Sequence, residues 1–178
     1  IPIVNVNNNC STGSTALFLG RQAIESGAVD CVLVLGFEQM NPGAIGNVFT
    51  DRPSPFEDFD REAAALVGLP ELPLALRYFG GAGQSHMQKY GTPLEAFAQV
   101  RAKASRHAAR NPLALLRKEL TVDDVMNAPM LWPGVLTRLM ACPPTCGAAA
   151  AVLVSGAFAK RHGLRTDVFI AGQAMTTD

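Results

Sequence analysis

The run Cys31-Val-Leu-Val-Leu-Gly-Phe37 constrains this chain most. It is apolar without alternation and strand-sized, far too short to span a bilayer. A strand of that pattern is expected to be buried on both faces of a parallel sheet, and Cys31 at its start is expected to be structural. Parallel strands need a crossover, usually a helix. Residues 11–26 supply one: Ala16, Gly20, Ala23 and Ile24 share a face at helical spacing, and Gly27 is a natural stop. Upstream, Ile-Pro-Ile-Val-Asn-Val (1–6) reads as a strand. Strand, helix, strand predicts a βαβ unit with a right-handed crossover, and so an α/β fold.

From Asn41 to about Leu76 the texture changes. Prolines 42, 53, 55, 70 and 73 and the acidic stretch DRPSPFEDFD predict an irregular excursion from the sheet. A helix is expected over roughly Gly83 to Tyr90, and another from TPLE, with Thr92 as N-cap, Pro93 at N1 and Glu95 at N3, to about Arg110. TVDDVM predicts a capped helical turn, and MLWPGVLTRLMACPP an apolar loop. CGAAAAVLVSG reads as a buried strand, GAFAKRHG as a helix with basic residues in its last turn, and VFIAGQAM as a closing strand.

The chain has 178 residues, is 48% hydrophobic and 17% charged, and carries a formal net charge of zero. That is enough material for a sizeable core. It carries no electrostatic footprint for nucleic acid or an anionic membrane. The four cysteines, at 10, 31, 142 and 146, form no dense framework, which points to a reducing, cytoplasm-like compartment. Cys142 and Cys146 have three residues between them and no histidine pair nearby, so no metal site is expected. No targeting peptide is read, and the start at Ile1 inside a predicted strand suggests a segment of a longer protein.

The stretch NNNCSTGSTAL (7–17) carries the chemistry. A thiol is mostly protonated at neutral pH, and the N-terminus of a helix favours the thiolate. Cys10 sits just before a predicted helix among small polar residues, where a bulky acyl group has room to approach. Strand, tight turn with nucleophile, then helix is the logic of a nucleophile elbow. The competing reading is a buried thiol at a turn, cysteine being among the most buried residue types.

VNVNNNCSTGSTAL, followed by GAVDCVLVLGFEQM, resembles the nucleophile region of thiolases. FGGAGQSHMQKYGT resembles their loop domain, and CPPTCGAAAAVLVSGAFAKRHGL the strand and helix after it. The resemblance runs in order along the whole chain and is best to the sterol carrier protein x-type thiolases and their bacterial lipid-transfer relatives. It implies a layered αβαβα thiolase fold of two similar halves. This chain would be mainly the nucleophile half: a core over 1–40, a helical loop domain over 41–140, and a return to the core sheet over 141–178.

The resemblance also implies an activity. Thiolases cleave 3-ketoacyl-CoA with free coenzyme A, or condense in reverse. Coenzyme A is a co-substrate and no cofactor is permanently bound. Cys10 would take the acyl group as a thioester, on long, branched or sterol-side-chain substrates. The strand Ile1–Asn7 would make a homodimer contact. The compartment would be cytoplasmic, or peroxisomal in a eukaryote. The family's histidine-containing, Gly-His-Pro and Cys-x-Gly motifs are not in this chain, so the isolated segment is expected not to turn over. Cys146 stands where the family usually has aspartate before its GAA run.

Other residues carry two readings each. Cys142 aligns with a position near the pantetheine arm, or is a packed loop cysteine. Phe79 lines the acyl pocket, or is core. Lys103, Arg106, His107 and Arg110 share a helix face that meets coenzyme A phosphates or simply water. Glu38 is expected at the C-terminal edge of the sheet, ordering the loop under Cys10. Two alternatives stand beside thiolysis: a steroid side-chain aldolase of the same fold working with a small acyl-CoA-binding partner, and a non-catalytic lipid or acyl-CoA binder.

Overall fold

A computed structural model of the chain describes residues 2–41, 51–68 and 70–176. It divides into two compact units, one of residues 1–40 and 144–178 and one of residues 41–143.

In the first unit, helix α1 (Thr12–Glu25) packs on a two-stranded sheet of β1 (Cys31–Glu38) and β4 (Gly147–Val154). The strands pair along their whole length, from Cys31 opposite Val154 to Glu38 opposite Gly147. Gly20 is where α1 meets the sheet: a Cβ there would lie 3.0 Å from a Val34 methyl and 3.3 Å from a Leu153 methyl. The even-numbered residues of β1 therefore face the helix. A short helix, α6 (Gly156–Arg161), follows, capped by Ser155, whose hydroxyl accepts from the Phe158 amide at 3.1 Å and donates to Asp30 at 2.7 Å.

Three expectations are corrected here. The pairing is antiparallel, not the parallel partner of a βαβ crossover, because the chain leaves β1 and comes back on β4 in the opposite direction. β1 is covered on one face only: Leu33, Leu35 and Phe37 are exposed, and so is Cys31. One helix layer hides one face of a sheet and leaves the other open. Residues 2–7 and 165–176 form no strand, although their composition suits one. Strand propensity is largely the fit to a neighbour on a pleated surface, and neither segment has one here. Ile1 lies outside the described residues.

The second unit holds α2 (Glu57–Val67), α3 (Leu74–Tyr90), α4 (Leu94–Ala109), α5 (Val122–Met126), a hairpin of β2 (Met130–Trp132) and β3 (Leu136–Thr137), and a 3₁₀ turn (Arg138–Met140). Its core is Ala98, Ala102, Val125, Trp132 and Val135. Ala98, Ala102 and Ser105 are spaced i, i+4, i+7, the buried stripe of α4. Ser105 lies buried because its hydroxyl donates to the Ala102 carbonyl at 2.7 Å and accepts from the Leu120 amide at 2.9 Å. Thr121 and Asp124 close a capping box on α5, as TVDDVM predicts.

Elsewhere the second unit departs from expectation. α3 begins nine residues before Gly83, at Leu74, and takes in Gly80 and Gly81, the first packed against the Trp132 ring and the second against Val67. The segment 130–137 is a hairpin rather than a loop. Pro133 and Gly134 make its turn, Gly134 with φ +70°, and the Val135 amide donates to the Trp132 carbonyl at 3.0 Å. α4 starts one residue after its expected N1. Pro93 is the cap residue, and the Thr92 hydroxyl pairs with His86 Nε2 at 3.0 Å instead. Proline 42 of the expected excursion lies outside the described residues.

Tyr78 ties α3 to α2. Its hydroxyl donates to Asp60 at 2.8 Å, and Phe56 and Phe59 meet its ring edge-on. Burial, then the Asp60 hydrogen bond and charge, raise its pKa from 10.0 to about 12, against the pull of Arg77. A raised folded pKa keeps the phenol neutral after the unfolded chain has ionised. The linked stability is complete below pH 10 and is lost as pH rises toward 12. Thermal melts of the second unit should therefore fall steeply between those pH values, and less steeply in Tyr78→Phe; equal slopes would refute the linkage.

Candidate functional site

Cys10 lies at the turn into α1, and the turn is held by its polar neighbours. Asn9 adopts a left-handed conformation with φ +47°, which asparagine tolerates better than most residues. The Thr12 hydroxyl donates to the Asn9 carbonyl at 2.7 Å and accepts from the Asn8 amide at 2.8 Å, clipping both sides of the turn. The Asn8 side-chain amide reaches Thr15 at 2.9 Å, and the Ser11 amide donates to the Asn8 carbonyl at 2.9 Å. Cys10 is left exposed as a free thiol. The buried-thiol reading is therefore set aside.

The thiol opens onto a hollow of about 390 Å³ lined by Asn9, Cys10, Thr12, Gly13, Gly36, Phe37, Glu38 and Gly147 to Ala149. Small residues make the room. Where α1 begins over β1, both chains carry glycine, and a Cβ on Gly36 would sit 3.6 Å from the Gly13 Cα. Gly147 opposes Glu38 and Ala149 opposes Gly36 across the sheet. Glu38, two residues beyond Gly36, lies on the α1 face by alternation, and its carboxylate accepts from the Gln39 amide at 2.9 Å. Just past the hollow, the Met40 amide donates to Cys146 Sγ at 3.3 Å, so sulfur fills the acceptor role at this position.

Of the other predicted site residues, Phe79 is an exposed residue of α3 and Cys142 is an exposed free thiol; both belong to the second unit. Lys103, Arg106, His107 and Arg110 are all exposed. The part sequence reading missed is Thr12, whose position two after the cysteine is the only signal of its clip. Among the described residues, no three histidine, cysteine or acidic side chains gather as a metal site. No described helix is long and apolar enough to cross a membrane.

The "Thiolase, N-terminal domain" family model matches residues 1–123. This chain belongs to the thiolase family. Sterol carrier protein 2 from Oryctolagus cuniculus is 47% identical over all of the chain, and that from Homo sapiens 45%. An acetyl-CoA acetyltransferase from Methanothermobacter thermautotrophicus is 31% identical over 99% of it. The chain spans 32% of the two sterol carrier proteins and 43% of the acetyltransferase. Among solved structures, an "Ltp2-ChsH2(DUF35) aldolase" superposes with TM-score 0.62 at 21% identity, over 83% of this chain and 36% of that one. The likeness shows the thiolase fold.

Proposed function

We propose that this thiolase chain carries the nucleophile of an acyl transfer on 3-ketoacyl-CoA. The observation that carries the reading is the exposed Cys10 thiol, held at a left-handed turn ahead of α1 and facing a hollow built of glycine and alanine. The sulfur attacks the 3-keto carbon. The bond between C2 and C3 breaks, its electron pair goes to the departing acetyl-CoA enolate, and that carbon takes up a proton. The acyl group stays on Cys10 as a thioester until coenzyme A sulfur displaces it and restores the thiolate. Among the described residues lining the hollow there is no imidazole or amine, so proton transfer is assigned to groups outside that lining. Phe79 and Cys142 are proposed as substrate contacts, and residues 41–140 as the loop domain that carries substrate.

The test is acylation. The intact protein is mixed with a 3-ketoacyl-CoA without free coenzyme A, and the Cys10 peptide is weighed. An added acyl mass, discharged by coenzyme A, is the expected result. Turnover with Cys10 never acylated would overturn thiolysis in favour of the aldolase reading.

The residues Ile1–Asn7 are proposed as the strand of a homodimer contact. Ile3 and Val4 are exposed, apolar and unpaired, as an edge awaiting a second copy would be. Sedimentation should give twice the chain mass, and Ile3→Lys should return it to one; a monomeric native protein would exclude the contact.

A further inference from the structure

The three asparagines ahead of Cys10 are alike in sequence and different in what they touch. Asn9 lines the hollow and carries the left-handed turn. The Asn7 carboxamide oxygen accepts from the Asn9 amide at 3.3 Å. Asn8 is not among the described residues lining the hollow, yet three hydrogen bonds converge on it. Its backbone amide donates to the Thr12 hydroxyl at 2.8 Å, and its carbonyl accepts from the Ser11 amide at 2.9 Å. Its carboxamide donates to the Thr15 hydroxyl at 2.9 Å. The first two bonds stay within the turn. The third reaches into α1 itself and ends on a residue whose own amide is bonded to the Ser11 carbonyl at 2.8 Å. Thr15 is therefore a fixed anchor for the Asn8 side chain.

Resting on the acyl-transfer reading of Cys10, we infer that Asn8 is a positioning residue: its carboxamide, bonded to Thr15, ties the chain entering the turn to the helix leaving it and so holds the thiol in place. Only Asn9 and Cys10 separate Asn8 from Ser11, and Ser11 leads directly into α1. With Asn8 fixed to the helix, those two residues must close a short gap, and the positive φ of Asn9 closes it. A non-glycine residue in that region persists where its surroundings over-determine it. Release of the carboxamide frees one end of the gap, lets Asn9 relax, and carries Cys10 with it. Every one of these contacts lies within residues 7–15. The chemical cost follows from reach: a reacting atom displaced by about 1 Å loses up to about a hundredfold in rate.

The experiment is a double-substitution cycle on the intact protein, read as the acylation of Cys10 by a 3-ketoacyl-CoA without free coenzyme A. Asn8→Ala removes the donor, Thr15→Val removes the acceptor at nearly constant volume, and Thr15→Ser keeps the hydroxyl. Each single loss should slow the acylation rate constant about tenfold. The half-saturating substrate concentration and the fraction of Cys10 finally acylated should stay as in the parent, whereas a merely structural lesion would lower that final fraction. Thr15→Ser should react like the parent. Both residues act through one bond, so the double variant should be no slower than either single; independent losses would multiply to about a hundredfold. Asn8→Ala acylating at the parent rate, losses that multiply, or a slow Thr15→Ser would each overturn the inference. If Thr15→Val does not fold, Asn8→Ala and Thr15→Ser decide it. A parent protein whose Cys10 is never acylated overturns the acyl-transfer reading, and this role with it, so the two failures are distinguishable.

Discussion

Replacing Cys10 by alanine should abolish acyl transfer in the intact protein while leaving its fold in place. The thiol is exposed and no hydrogen bond of the turn is made by its side chain, so the stability cost should stay within about 0.5 kcal/mol. The chemical cost is of a different order. Without a nucleophile there is no covalent intermediate, and a loss of roughly a thousandfold or more in kcat is expected. Acyl mass should also vanish from the peptide, with the melting temperature unchanged. A Cys10→Ala protein that keeps more than a few per cent of the rate would remove the sulfur from the mechanism.

The second large effect lies in the other unit and concerns stability alone. Trp132 is 8% exposed, and its ring rests against Gly80, where a Cβ would lie 2.7 Å from one ring carbon and 2.9 Å from the next. Trp132→Ala removes most of that packing and leaves a void beside Gly80, so it should cost about 3–5 kcal/mol. Gly80→Ala attacks the same contact from the other side. Alanine gains about 1 kcal/mol of helix propensity over glycine, but overpacking a rigid ring costs roughly 1–3 kcal/mol. The expected sign is net destabilisation, smaller than for Trp132→Ala. Denaturant unfolding of both variants reads this directly, and a Gly80→Ala protein more stable than the parent would show that the ring is not locked.

What could be read beforehand divides by the range of the forces. Local signals were legible: α1 spans Thr12–Glu25 where 11–26 was expected, and Thr121 and Asp124 close their box. The turn at Cys10 was legible as small and polar. Signals that depend on a partner were not. The segments at 2–7 and 165–176 have strand composition and no strand, since pairing belongs to two chains of backbone at once. The expected helix over Gly83 to Tyr90 stops short of Gly80, because the Trp132 ring that Gly80 packs against is about fifty residues away in sequence. The hollow beside Cys10 is half legible: the thiol stands out and Glu38 is expected at the sheet edge under its loop, whereas Gly147 to Ala149 join them only through the sheet register.

The pairing of Glu38 with Gly147 has a consequence for how that hollow comes to exist. Two of its walls are brought together across more than a hundred residues of intervening chain. Closing so long a flexible loop costs roughly 4 kcal/mol in chain entropy beyond the constant for any closure. When residues 41–143 are already compact, the effective loop is much shorter and that cost largely disappears. The exposed thiol is thus local in sequence, while the space beside it is a long-range product, assembled economically only once the excursion has folded.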